Sequence, residues 1–216
     1  MKQIAPDIIK LINKIPKRFI VLQVLTGQYG SIIYRSIAGS DNVIAWKEKD
    51  YTGEYLQPLE WPHKTEGYNI YDVSDITYKI FKENHLVTAH ISVPLLENSW
   101  ARNIITDLQK NKISLVKTHN IDVHETLNCK IIRIVGDPSS ACLYKSPFYR
   151  ITESCLHKIN KENICNIDIS KFLSNDFNIF LDEYLKMTSF LDINVNINNV
   201  RQYILLHKEK MKRFDG

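Results

Sequence analysis

The chain has 216 residues, a formal net charge of +4 and ordinary apolar and charged fractions. That length suits one α/β domain with a real core and is short for two, and the composition excludes a disordered chain. The mild positive charge fits a protein that handles anionic small molecules, and no nucleic-acid partner is expected.

Cys129, Cys142, Cys155 and Cys165 form no CxxC pair, and no histidine stands at zinc-finger spacing. They read as reduced thiols of a cytoplasmic protein, with no metal site. The first residues lack an apolar core of signal-peptide length, and no stretch reaches the about 18 apolar residues of a transmembrane segment.

Residues 6–14 have the spacing of a short amphipathic helix, closed by Pro16. Phe19-Ile20-Val21-Leu22-Gln23-Val24-Leu25 is an almost unbroken apolar run, which predicts a strand buried on both faces. Thr26-Gly27-Gln28-Tyr29-Gly30-Ser31 follows as a small polar loop, and Ile32, Ile33 and Ile37 then return at helical spacing up to Gly39. Residues 42–46 predict a second strand, and 47–71 an irregular stretch carrying Tyr51, Tyr55, Trp61 and Tyr68, which reads as a pinned surface excursion or an acceptor lid. Helix is expected over 73–84, strand over 86–93, helix over 98–109, strand over 113–116, a short connection, and strand over 130–135. From residue 151 onward the pattern reads as helical, with an Asn-rich link at 194–199 supplying helix N-caps. Strands separated by helices imply βαβ units, so the expected fold is a single α/β domain over 1–216. It has a mostly parallel sheet with right-handed crossovers and a helical C-terminal third.

In an open parallel sheet, ligands bind beyond the carboxyl ends of the strands. Three predicted strand ends carry suitable groups: the 26–31 loop, Lys117 with His119, and the 136–140 loop with Ser139 and Ser140. The first loop joins strand to helix, an arrangement that aims backbone N–H groups at an anion. It lacks the Gly-Lys-Ser/Thr ending of an ATP-binding P-loop, because Gly30 is followed directly by Ser31, which disfavours a magnesium-dependent kinase. Lys117 and His119, two apart at a strand end, fall on one face by strand alternation. There a neutral imidazole can take a proton from an acceptor hydroxyl while the lysine offsets developing charge.

Val116-Lys117-Thr118-His119, Lys130-Ile131-Ile132-Arg133-Ile134-Val135-Gly136-Asp137-Pro138, the strand–Gly30-Ser31–helix opening and the late helical run through Phe180-Leu181-Asp182-Glu183-Tyr184 together resemble the sulfotransferases that use 3′-phosphoadenylyl sulfate (PAPS). The resemblance covers roughly residues 18–39, 112–146 and, loosely, 165–213. It implies a P-loop NTPase-like fold, an α/β three-layer sandwich around a mostly parallel central sheet, and transfer of a sulfuryl group from PAPS, with no metal, to a hydroxyl of a carbohydrate, lipid or small metabolite. His119 would be the general base and Lys117 the contact to the sulfuryl group. Thr26, Gly27, Gln28, Tyr29, Gly30 and Ser31 would hold the 5′-phosphate.

The sequence departs from the family at identifiable places. Gln28 and Tyr29 stand where that loop carries a cation, Gly136 where an arginine binds the 3′-phosphate, and Tyr144 where a serine is expected. Ser139, Ser140, Lys145 and Arg150 are the substitute ligands. Arg133, mid-strand, reads instead as half of an ion pair at the sheet's margin. The alternative to an enzyme is a non-catalytic nucleotide- or polyanion-binding protein of the same fold. The basic end, 207–213, reads as the solvated face of a terminal helix.

Overall fold

The apolar run at 19–25 becomes the middle of the sheet. A computed structural model of the protein describes residues 4–25, 30–38, 40, 42–49, 69–72, 113–136, 156–198, 200–202 and 204–205. Helix α1 (Pro6–Lys14) leads through a 3₁₀ turn (Pro16–Arg18) into β1 (Phe19–Gln23), followed by α2 (Gly30–Ala38), β2 (Val43–Lys49) and β3 (Asn69–Asp72). Then come β4 (Ile113–Thr118), the single turn α3 (Val123–Thr126), β5 (Lys130–Val135), β6 (Ile164–Asp168), the short α4 (Ile169–Phe172) and the long α5 (Phe177–Leu191).

The strands lie in the order β3-β2-β4-β1-β5-β6. All pairings are parallel except that of β3, which runs antiparallel along the outer edge of β2. Numbered by chain order, the parallel strands among the described residues therefore sit 2-3-1-4-5 across the sheet. The connection leaving β1 travels one way, past β4 to β2, while that leaving β4 returns across β1 to β5. The exits of β1 and β4 thus diverge in opposite directions, which makes the crevice between their carboxyl ends a topological switch point.

Side-chain alternation explains the layers. Phe19 and Val21 face one side of β1, with Val116, Ile131 and Ile164 from its neighbours, and are covered by Ile8 and Ile12 of α1 and Val123 of α3. Ile20 and Leu22 face the other side, with Leu115, Ile132, Ile134, Cys165 and Ile167. That face is covered by Ile33, Tyr34 and Ile37 of α2, Phe172 of α4, Phe180, Tyr184 and Met187 of α5, and Val200 and Ile204. A strand with apolar covers on both faces has no polar side to show, hence the unbroken run. Each fully buried Ile or Leu in it contributes about 1.5–3 kcal/mol.

The helix ends follow from local chemistry. Asp176 caps α5 by accepting from the backbone N–H groups of Asn178 and Ile179, and Asp168 does the same for α4 with Ser170 and Lys171. Asp192 ends α5 in the left-handed conformation, at φ 57°. In the Asn-rich link, the Asn196 side chain accepts from Asn198 N at 3.0 Å where the chain becomes helical again at 197–198, as the link's composition predicts.

The structure corrects the sequence reading in four places. The C-terminal third is not helical throughout, because 164–168 forms the fifth parallel strand, in register with β5 from Ile131↔Ile164 to Val135↔Asp168. Its outer edge is partly closed by Asn166, whose side chain accepts from Ile159 N at 3.1 Å and donates to Ile159 O at 2.9 Å, as a neighbouring strand would. The second strand runs on to Lys49, so the stretch at 47–71 both begins and ends in sheet, at Lys49 and at Asn69. The strand expected at 113–116 continues to Thr118, and the connection after it contains a helical turn. The helices expected at 73–84 and 98–109, the strand at 86–93, and Tyr51, Tyr55, Trp61 and Tyr68 lie outside the described residues.

Burial also sets the chemistry of two thiols. Desolvation pushes the Cys129 thiol up to about 12, against a backbone hydrogen bond that lowers it. Desolvation likewise pushes Cys165 up to about 11, with Lys186 opposing and Glu183 adding to it. Unfolded thiols titrate near 9.0, so above that pH the unfolded chain binds fewer protons than the folded one, and stability falls as pH rises. At pH 8 both thiols are expected to resist iodoacetamide in the folded protein and to react once denaturant is added. Mass-spectrometric mapping of the label reads this directly, and rapid labelling of folded Cys165 would contradict it.

Candidate functional site

The carboxyl ends of β1 and β4 are tied together through one residue, Val24. Its N–H donates to Thr118 O at 3.1 Å, and its carbonyl oxygen lies 2.6 Å from His119 Nδ1. A carbonyl can only accept, so Nδ1 carries the proton and the lone pair of the neutral ring sits on Nε2. The Val24 side chain is the third contact: a Cβ added to Gly30, the first residue of α2, would lie 2.8 Å from it. The start of α2 can therefore lie this close to Val24 only with glycine at position 30.

The turn after β4 is built from its own polar groups. Thr118 Oγ1 accepts from Asn120 N at 3.0 Å, and Asn120 Oδ1 accepts from Asp122 N at 2.9 Å. Beneath it lies a buried polar pair, Gln23 and Arg133, in register on β1 and β5. Gln23 Nε2 donates to Asn120 O and to Ile121 O, both at 2.8 Å. Its Oε1 accepts from Arg133 Nη1, which also reaches Ile121 O at 3.3 Å, while Arg133 Nε donates to His157 O at 2.7 Å. Arg133 is only 5 % exposed, and all of these partners are neutral oxygens. Desolvation pulls its pKa below the ordinary value, and the charge of Asp122 works in the opposite direction. The guanidinium remains cationic in such a setting. It is therefore not half of an ion pair at the sheet's margin: it lies on β5, beside the central strand β1, where its register partner is Gln23.

Of the residues expected at the site, Gly30 and Ser31 open α2. Lys117 is the penultimate residue of β4, in register with Leu22, and by alternation shares the face of Leu115. His119 lies one residue beyond the strand, half-buried, so strand alternation does not fix its side; the contact to Val24 O does. Thr26, Gly27, Gln28, Tyr29, Ser139 and Ser140 lie outside the described residues, as do Tyr144, Lys145 and Arg150. Among the described residues no group of three or more His, Cys, Asp or Glu side chains is placed to hold a metal ion. No described helix is long and apolar enough to cross a membrane.

Sequence reasoning passed over Gln23 and misread Arg133. The signal was present: Gln23 ends an otherwise apolar β1, and Arg133 interrupts the apolar part of β5 after Lys130, at depths where an unpaired polar group is costly. Two such interruptions in two buried runs require each other.

Gly136 has a structural reason to be glycine. Its φ is +85°, and a Cβ there would lie 2.6 Å from Asp168 Oδ1, the atom that caps α4 and accepts from Ser170 Oγ at 2.6 Å. No family model matches this chain, and neither the curated proteins nor the solved structures hold a match. The site therefore stands on its geometry and chemistry. Gly136→Arg, which would restore the residue of the sulfotransferase pattern, is expected to destabilise the fold. The left-handed backbone costs about 1–2 kcal/mol and the disturbed cap about 1 kcal/mol more. Urea denaturation measures the difference, and a variant as stable as the parent would rule out the close approach to Asp168.

Proposed function

We propose that the chain is a sulfotransferase-like enzyme of P-loop-type fold. It moves a sulfuryl group from PAPS to a hydroxyl of a carbohydrate, lipid or small metabolite. The observation that carries the proposal is the anchored ring of His119, held by Val24 O at the switch point beside the β1–α2 corner. A base needs a fixed lone pair aimed into the crevice where ligands of open parallel sheets bind. The bond from Nδ1 to a backbone carbonyl supports this role, because it holds the ring and selects the tautomer with Nε2 as the basic nitrogen.

In this reading Nε2 takes the proton of the acceptor hydroxyl as its oxygen bonds to sulfur. The sulfur–oxygen bond to the donor's 5′-phosphate breaks, and adenosine 3′,5′-bisphosphate departs with that electron pair. Lys117 offsets charge on the group in flight, and the backbone N–H groups at Gly30 and Ser31, the first residues of α2, face the leaving phosphate. Arg133 adds positive charge at the same edge of the sheet, hydrogen-bonded to neutral oxygens.

Incubation with labelled PAPS and a panel of hydroxyl acceptors tests the proposal. His119→Ala should lower turnover by about 10²–10⁴-fold, the usual contribution of a positioned base, with donor affinity retained. Turnover indifferent to that substitution would remove His119 from the role.

Gly136 favours a second reading, in which the chain binds a nucleotide or polyanion without transferring a group. The backbone there excludes the arginine that the family uses on the 3′-phosphate. Calorimetry with adenosine 3′,5′-bisphosphate separates the two. Tight binding supports the donor site, and no binding at millimolar ligand leaves a scaffold without one.

A further inference from the structure

Gln23 is an amide in the middle of the sheet that shares no strand with His119, yet both of its polar ends are committed around the turn that carries the ring. Its Nε2 donates to two successive carbonyls of that turn, Asn120 and Ile121, at 2.8 Å each. Its Oε1 is held by Arg133 Nη1, so the amide cannot flip without placing donor against donor. Arg133 is fixed in turn by His157 O at 2.7 Å and reaches Ile121 O at 3.3 Å. The carbonyls of residues 120 and 121 are thus clamped from below, while Asn120 N is held by Thr118 Oγ1 at 3.0 Å.

We infer that Gln23 and Arg133 are positioning residues for His119: together they set the turn at 119–122 so that the ring keeps Nδ1–H on Val24 O and the basic lone pair on Nε2. Neither residue touches a reacting atom. The inference rests on the sulfuryl-transfer reading only for the consequence to activity; the effect on the ring is independent of it. Polar groups are costly at this depth, and an apolar pair of similar volume would fill the space without burying a charge. What the apolar pair would lack is a grip on Asn120 O, and on Ile121 O, which His124 Nδ1 also approaches, at 3.1 Å, from within the turn.

The test is a substitution that keeps one arm and cuts the other. Gln23→Glu preserves the acceptor for Arg133, and pairs the buried guanidinium with a carboxylate, but puts an acceptor oxygen against Asn120 O and Ile121 O where a donor stood. The variant should stay folded while the turn is pushed away. Nitrogen-15 chemical shifts of the His119 ring, read by NMR across a pH titration, should move from a single Nδ1–H tautomer to a mixture, with an altered titration midpoint. With PAPS and acceptor present, kcat should fall on the order of a hundredfold, as a slight misplacement of a catalytic group can cost, with KM for the donor unchanged.

A folded Gln23→Glu protein whose His119 shifts match the parent overturns the inference and makes the pair a structural plug. If Gln23→Glu does not fold, Arg133→Lys is scored by the same shifts, since it keeps the charge and loses the fork. The parent protein supplies a further test that needs no variant: a His119 ring with Nδ1 unprotonated at neutral pH overturns the inference outright. Ring shifts that move as expected in a chain with no sulfuryl transfer would sustain the positioning and refute the activity, so the two failures are distinguishable.

Discussion

Three connections meet at Val24, and most of the architecture depends on their holding together. Its N–H extends the β1–β4 ladder by one bond beyond the strand, its carbonyl orients His119, and its side chain is the surface against which α2 begins. Each is a modest interaction; a backbone hydrogen bond has a net worth of about 0.5–1.5 kcal/mol. Their joint effect is geometric. One residue with two committed backbone groups fixes the exits of two adjacent strands relative to each other, and its buried side chain limits how closely the first residue of α2 can approach. These contacts fall where the strand order already places a switch point, between the carboxyl ends of β1 and β4.

Beneath that corner the sheet changes character. Through most of its length it is apolar on both faces, but at the register of Gln23 and Arg133 a cation and an amide occupy the interior. A buried guanidinium needs its hydrogen bonds met, and hydrogen bonds to a charged group contribute about 1.5–3 kcal/mol each. Here they are met by carbonyls of two loops and by Gln23, so the charge is stabilised by the very segments it immobilises. Removing either partner would leave the other desolvated, which makes the pair an all-or-nothing device. That such a device sits at the end of β1, with Phe19–Leu22 and Ile131–Ile132 apolar and buried below it, ties its placement to the turn it grips.

How much of this could be read from the residues depended on whether a local pattern carried the information. The runs at 19–25 and 130–135 announced buried parallel strands because two-sided burial demands apolar side chains at consecutive positions. The periodicity of 6–14 and 177–191 announced helices for the same kind of reason. β6 was missed because it is five residues long, interrupted by Asn166, and flanked by a helix whose spacing dominates any longer window. Its strand character comes from pairing with β5, which no local pattern reports. At the site, Lys117 and His119 were legible as chemistry-bearing residues at a strand end. The contact that orients His119 was not, since it spans 95 positions of chain and uses a backbone oxygen. Arg133 was legible as an anomaly but not as a structural hub, because its partners come from three separate segments.

The two sides of β1 are unequal, and the inequality bears on where a ligand can be gripped. Toward β4 the exit carries an oriented imidazole and a lysine on the preceding strand positions. Toward β5, among the described residues, it carries no projecting cation at the strand end: Arg133 is drawn down into the sheet, and position 136 is limited to glycine by its φ and by Asp168. Charge that a strand-end arginine would present to a phosphate is thus held two to three residues deeper, directed at carbonyls. A phosphate bound on the β5 side would meet no strand-end side-chain cation among the described residues, which leaves backbone N–H groups such as those that open α2 to hold it. Backbone donors hold a phosphate by geometry more than by charge, with weaker dependence on salt than an arginine contact has. The asymmetry follows from the fold: on the β5 side a Cβ at position 136 would meet the residue that caps α4, while the residues proposed for the chemistry stand at the end of β4.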